Sequence, residues 1–207
     1  MEYTDKQIAI LKVAEEVISE KGFEAASIRE ISKRAHINLA MVSYYFGSKE
    51  KLIEAMFILR SEEFKMSINS VVEDASLDPL HKMYKLAENY LNKVLKNFSF
   101  HKIMIREISS LNSSVVYDQI MKMKTANLQI IDRVIQEGKQ NGQFNTLIDT
   151  DHVISLINGT VSNYALNEKY YREKWQLDPE RTFAEQTKDK IKNQLLHSLK
   201  AILLYHE

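Results

Sequence analysis

Residues 27–52, SIREISKRAHINLAMVSYYFGSKEKL, decide how this chain reads. Ser27 stands where a helix N-cap belongs, and Glu30 three residues on completes the pattern of a capping box. Ile31 and Ala35 lie four apart and share one face of the short helix that follows. Ala35-His36-Ile37 is too short to be a loop with structure of its own. Asn38 then caps a second helix, in which Val42 and Phe46 again lie four apart and point inward. Gly47 ends that helix and Ser48 caps a third. This is the layout of a helix-turn-helix, whose second helix enters the major groove of DNA.

With Val42 and Phe46 inward, the second helix turns Leu39, Ala40, Met41, Ser43 and Tyr44 outward. A merely solvated face would carry Lys and Glu. This face suits apolar contact with thymine methyls, and phosphate contact from Tyr44 and Ser43. The formal net charge of the chain is zero, but it is unevenly spread. Over residues 1–26, Lys6, Lys12 and Lys21 stand against Glu2, Asp5, Glu15, Glu16, Glu20 and Glu24, which leaves −3. Over residues 27–51, Arg29, Lys33, Arg34, Lys49 and Lys51 stand against Glu30 and Glu50, which leaves +3. Basic charge gathers where DNA is expected, although runs of this kind are also common on ordinary solvated helices.

The run SIREISKRAHINLAMVSYYFGSKEKL, with SEKGFEAAS just before it, resembles the DNA-binding signature of the tetracycline-repressor (TetR) family of bacterial transcription regulators. The pieces SIREIS and YYFGSKEKL keep the family's spacing without a gap, and the likeness covers about residues 4–52. His36 departs from it, since the family usually has Gly in the turn; a left-handed backbone there is less comfortable for His than for Gly. The resemblance implies that Lys49 contacts phosphate, at a helix start that also offers free amides. It gives Tyr44 a DNA role. Tyr45 divides evenly between DNA face and core, and Ser27 and Arg29 between phosphate or base contact and a purely structural place. Asn38, as cap, joins Leu39, Ala40, Met41 and Ser43 in the expected DNA-binding set.

Composition fits an all-α protein. The 207 residues are 44% hydrophobic, enough for a sizeable core, and include only five Gly and two Pro. There is no Cys, which excludes disulfides, thiolate metal sites and a Cys nucleophile and fits a reducing compartment, here the cytoplasm. No run approaches ~18 apolar residues, so no membrane span or membrane partner is expected. MEYTDKQ is acidic and polar and does not read as a signal peptide.

Thr4, with Gln7 in the capping-box position, starts a first helix that Gly22 stops. After Ser48 a helix runs to about residue 73. Asp78-Pro79 starts another, and further helices are expected at about 99–110 and 115–141, from Asp149 or Thr150 through Leu156, Val161 and Tyr164, and at about 183–205. Residues 112–114 read as a turn and 170–181 as a loop. The division along the chain is 1–50 for the DNA-binding part and 51–207 for a helical effector-binding and dimerisation part.

The six histidines show no metal-ligand spacing, and no nucleotide-cradling loop appears, so neither metal nor cofactor is expected. Most Met residues lie centrally, where the bland reading is ordinary core. The resemblance implies instead a pocket for a small effector, with Tyr90, Met104, Arg106, Met123 and Tyr164 as its expected lining. Arg106, among Ile103, Ile105 and Ile108, would need an anionic or carbonyl partner: a ligand with an acidic end and an apolar body, or equally Glu107, Asp118 or Asp132 of the chain itself. Ile191, Leu195, Leu199, Ile202 and Leu203 form an apolar stripe that needs a cover, and Gly159 interrupts a good helix at a cost of roughly 1 kcal/mol. In the family the last two helices of each subunit form a four-helix dimer interface; the competing reading is packing within the monomer. The function expected is ligand-responsive transcription regulation, as a repressor on a near-palindromic operator bound by a homodimer. A helical protein–protein adaptor is the alternative. An enzyme would need a nucleophile, base or metal cluster that the sequence does not offer.

Overall fold

The computed structural model describes residues 3–109 and 115–205. Ten α-helices and no strand occur among them: α1 (Asp5–Lys21), α2 (Ile28–Arg34), α3 (Leu39–Phe46), α4 (Lys49–Val72), α5 (Pro79–Lys96), α6 (Phe98–Ser109), α7 (Val115–Gln140), α8 (Thr150–Leu166), α9 (Glu168–Lys174) and α10 (Phe183–Leu204). The turn expected at 112–114 lies outside the described residues.

Most ends are made by local chemistry. The Thr4 hydroxyl accepts from the Gln7 amide, and the Gln7 side chain accepts in return from the Thr4 N–H, a complete capping box. Asp78 accepts from the His81 amide, with Pro79 at the first helical position. Thr182 and Glu185 form a second complete box at α10. Ser27 caps α2 by accepting from the Glu30 amide, but the expected box is not closed there. The Glu30 carboxylate is drawn instead to Lys21 and Arg34, because full charges outcompete a single backbone N–H.

The segment 170–181, expected as a loop, begins as helix: α9 covers Glu168–Lys174. Its support is tertiary. Tyr171 and Trp175, four apart, stack together on Tyr164 of α8, with centroids 4.7 and 5.7 Å from it. Gln176, in a left-handed conformation (φ 51°), ends α9. Leu177 N–H then reaches back to Arg172 O, and Gln176 N–H to Glu173 O. That is a Schellman ending without glycine, which is why no Gly or Pro marked it.

The described chain divides into two compact units. The first comprises Met1–Glu63 and Ser99–Lys124. Its core gathers Ile10, Leu11, Ala14, Val17 and Ile18 of α1, Ile31 of α2, Val42 and Phe46 of α3, and Leu52, Ile53, Met56 and Phe57 of α4. Phe100, Ile103, Val116, Ile120 and Met123 join the same core. The Phe57 and Phe100 rings meet at 4.9 Å. A buried ion pair crosses this unit, Arg60 Nε donating to Glu15 Oε2 at 2.8 Å while its Nη1 reaches Glu63 at 3.0 Å. Burial pushes the Glu15 carboxyl above the usual carboxylate range, against the pull of Arg60.

The second unit comprises Phe64–Phe98 and Thr125–Glu207. α10 packs along α5 and α8, and α5 along α8. Ile191, Leu195, Leu199 and Leu203 are fully or almost fully buried in this core, beside Met83, Ala87 and Leu91 of α5 and Val153, Ile157 and Val161 of α8. These four residues were expected at a dimer interface. They are consumed inside the chain, because three amphipathic helices closing on one another use up the apolar stripe. Ile202 is half-buried, and Gly159 is exposed with open space where a Cβ would stand. The close approach of another helix is therefore not what Gly159 serves within this chain.

Two outcomes are expected. Arg60→Ala leaves the Glu15 carboxylate buried without its partner and should cost about 3 kcal/mol. Thermal melts should show it, and Glu15→Leu in the same chain should return most of the loss. Leu199→Glu should destabilise the fold itself by several kcal/mol, because it buries an unpaired carboxylate. Lys200→Glu, on the exposed side of the same turn, should leave the melting temperature within a degree or two.

Candidate nucleic-acid interface

The turn between α2 and α3 sets the geometry of the interface. His36 holds φ 53°, the left-handed conformation. Ile37 N–H bonds back to Ser32 O at 3.0 Å and His36 N–H to Lys33 O at 3.3 Å, so α2 ends in a Schellman motif and the chain reverses within three residues. Ile37 packs against the core as the accompanying apolar contact. His36 thus performs the backbone role that glycine usually fills, and its ring is left exposed. Asn38 caps α3, its Oδ1 accepting from the Ala40 amide at 2.9 Å.

Val42 and Phe46 are buried, as their spacing required. Of the remaining residues of α3, Leu39 is 43% and Tyr44 82% exposed, with Ala40 and Ser43 also exposed and Met41 half-buried. Tyr45 is half-buried against the core, its ring edge-on to Tyr44 at 5.5 Å and to Phe46 at 6.3 Å. The helix has no charged side chain.

The basic residues of this region are of two kinds. Arg34 is held by Glu20 through a two-pronged contact at 3.0 and 2.7 Å and by Glu30 at 3.3 Å. Lys21 pairs with Glu30 at 2.7 Å. The Arg34 hydrogen bond holds the Glu20 carboxyl below its ordinary range, and the Lys21 hydrogen bond does the same for Glu30. Arg34, counted in the basic stretch, is thus a brace between α2 and α1. Arg29, Lys33 and Lys51 are exposed and make no ion pair among the described residues. Lys33 stands on α2 and Lys51 on α4, the helices before and after α3. Lys49 lies between the two kinds. Its Nζ donates to the Glu24 carbonyl at 3.2 Å and sits 4.3 Å from the Phe23 ring centroid, tying the start of α4 to the α1–α2 connection.

The residues expected to line an effector pocket are not brought together within either unit. Met123 is buried and Met104 half-buried in the first unit's core. Arg106 is exposed and donates to the carbonyls of Ile18 at 3.4 Å and Ser19 at 3.2 Å, capping the last turn of α1. Within the chain its partners are therefore backbone carbonyls, and none of Glu107, Asp118 and Asp132 pairs with it. Tyr90 and Tyr164 belong to the second unit. Burial pushes the Tyr90 phenol up to about 12, while a hydrogen bond to Ser162 pulls the other way. Tyr164 is occupied by the stack with Tyr171 and Trp175. The second unit has a depression of about 220 Å³ elsewhere, lined by Asn145, Leu147, Ile148, Asp149, His152, Val153 and Ile202. No helix among the described residues is long and apolar enough to cross a membrane.

Comparison with known proteins agrees with this geometry. The model for bacterial regulatory proteins of the tetR family matches residues 10–56, and that for the C-terminal region of YsiA-like proteins of the same family matches residues 57–195. The probable HTH-type transcriptional regulator YttP of Bacillus subtilis is 25% identical over 174 residues, which is 82% of each chain. The fatty acid metabolism regulator protein of the same organism is 24% identical over 176 residues, 80% of this chain and 87% of that one. The fold is also that of the putative fatty acid metabolism regulator of Clostridium perfringens, with a TM-score of 0.77 at 17% identity over 96% of this chain and 100% of that one. A recognition helix presented on a compact helical unit, with family models that together run from residue 10 to residue 195, makes this chain a member of the TetR family of ligand-responsive, DNA-binding transcription regulators.

Proposed function

We propose that this chain represses transcription from a near-palindromic operator as a homodimer and is released by a long-chain acyl thioester. The observation that carries the DNA part is the exposed, uncharged outer face of α3, with exposed Arg29, Lys33 and Lys51 and half-buried Lys49 on the flanking helices α2 and α4. Charges on the flanking helices bind phosphates and fix the register, while the helix face meets base edges. Ser27, already a cap, stands beside Arg29 at the start of α2, where backbone phosphate passes in this docking.

The dimer is built from what the second unit leaves outside. On α8 this is the open strip around Gly159, with Leu166 exposed beyond it; on α10 it is the half-buried Leu196 and Ile202. Effector chemistry is supported by relatives. One carries the name of a fatty acid metabolism regulator, and a Bacillus subtilis FadR of the same fold was solved with stearoyl-CoA, with a TM-score of 0.69 at 19% identity over 96% of this chain and 99% of that one. An acyl thioester joins an apolar body to an anionic end. Bound preferentially to a form whose recognition helices are wrongly spaced, it lowers operator affinity by that difference in binding.

Two measurements test this. Arg29→Ala and Lys33→Ala should each weaken binding to all duplexes alike and reduce the slope of log affinity against log salt by about one. Lys49→Ala should do the same and also lower thermal stability, since it loses Glu24 and Phe23 together. Unchanged slopes in all three variants would overturn the docking. In fluorescence anisotropy, stearoyl-CoA should release labelled operator and raise the melting temperature, whereas free coenzyme A and acetyl-CoA should do neither. Operator that stays bound in saturating stearoyl-CoA would remove the acyl reading and leave the repressor standing.

A further inference from the structure

We infer that this protein reads its operator chiefly through the 5-methyl groups of thymine, with Leu39, Ala40 and Met41 as the reading side chains; the inference rests on the DNA-binding role proposed above. The argument starts from what α3 lacks. Direct readout of guanine calls for the two donors of Arg or Lys, of adenine for the donor and acceptor of Asn or Gln, and of cytosine for the acceptor of Asp or Glu. None of these stands on the eight residues of α3, LAMVSYYF.

Asn38, at the very start, has the right amide, but its Oδ1 is committed to the Ala40 N–H at 2.9 Å. A bidentate contact with adenine would need that oxygen and would uncap the helix. Ser43 and Tyr44 each offer a single hydroxyl, which both donates and accepts and so separates bases poorly. The cations around the helix lie on α2 and α4, positions that meet the backbone when the second helix of the motif is in the groove.

What α3 does present is a run of apolar side chains in its first turn. Leu39 and Ala40 are exposed and Met41 half-buried, all in the first turn, the part of a recognition helix that reaches deepest toward base edges. In the major groove one apolar group distinguishes a base pair, the thymine methyl. Leu39 and Met41 are larger than solvation of an isolated surface helix favours, and this partner would cover both. Specificity of this type discriminates by a buried methyl group and needs no charged reader.

The inference is tested by removing the methyl and nothing else. Bound duplexes are selected from a random pool with the full-length protein, and the recovered operator is resynthesised with deoxyuridine in place of each thymine in turn. At one or two positions per half-site the substitution should cost about fourfold in affinity, the size expected for one buried methyl group. The symmetric pair of substitutions should cost about fifteenfold. Cytosine at the same position should bind worse than thymine, and 5-methylcytosine should recover the methyl-dependent share. Met41→Ala and Leu39→Ala proteins, altered at a half-buried and an exposed position, should lose sensitivity to uracil at the position each one reads. A fully uracil-substituted operator bound as tightly as the parent, with a scrambled duplex still bound weakly, overturns the inference and leaves operator binding intact. Selection that returns no preferred sequence, with no salt-dependent duplex binding, overturns both.

Discussion

Burial of Val42 and Phe46 is the constraint on which the functional half of this molecule depends. Each of these side chains contributes about 1.5–3 kcal/mol by leaving water, and both are satisfied only in the core that α1, α2 and α4 provide. A helix of eight residues is too short to hold itself together, so this anchorage is what makes α3 a helix at all. It also fixes rotation about the helix axis. Once two residues four apart point inward, Ala40 and Tyr44 fall on the opposite side of the helix and face out. Readout of DNA is thus a by-product of where the core places its knobs.

Electrostatics then sorts the basic residues by role. Glu20 and Glu30 draw Arg34 and Lys21 into a brace between α1 and α2, and those cations are spent on holding the scaffold. Surface pairs of this kind are individually weak, but a shared network with a two-pronged arginine contact fixes direction as well as distance. Arg29, Lys33 and Lys51 make no ion pair among the described residues and stand exposed to solvent. Lys49 does both, bound to a carbonyl and resting on an aromatic ring at the edge of the same surface. Arg106 shows the same economy from 88 residues away, closing the carboxyl end of α1.

The second unit follows another logic. α5, α8 and α10 bury one another's apolar stripes so fully that Leu195 and Leu199 never meet solvent. What remains outside is a thinner apolar surface, with Gly159 and Ile202 on it, and that surface is where a second copy is proposed to sit.

Local chemistry was legible in the residues themselves. Thr4 with Gln7, Asn38, Asp78 with Pro79, and Gly22 mark helix ends through contacts at most four residues apart, and the 42/46 spacing told the inner from the outer face of α3. Even the left-handed turn at His36 was readable, because a helix-turn-helix demands it whatever residue stands there. Long-range choices were not legible in this way. Nothing in the chain near Arg106 distinguishes the carbonyls of Ile18 and Ser19 from a ligand or from Glu107, and nothing along 191–203 tells a partner chain's surface from α5 and α8. Nor did any Gly or Pro announce α9, whose stability lies in rings stacked from elsewhere. Caps, turns and faces depend on neighbours a few bonds away and are written in order along the chain. The partner of a buried stripe or of a guanidinium depends on which surfaces the folded backbone brings into reach, and that is settled only in three dimensions.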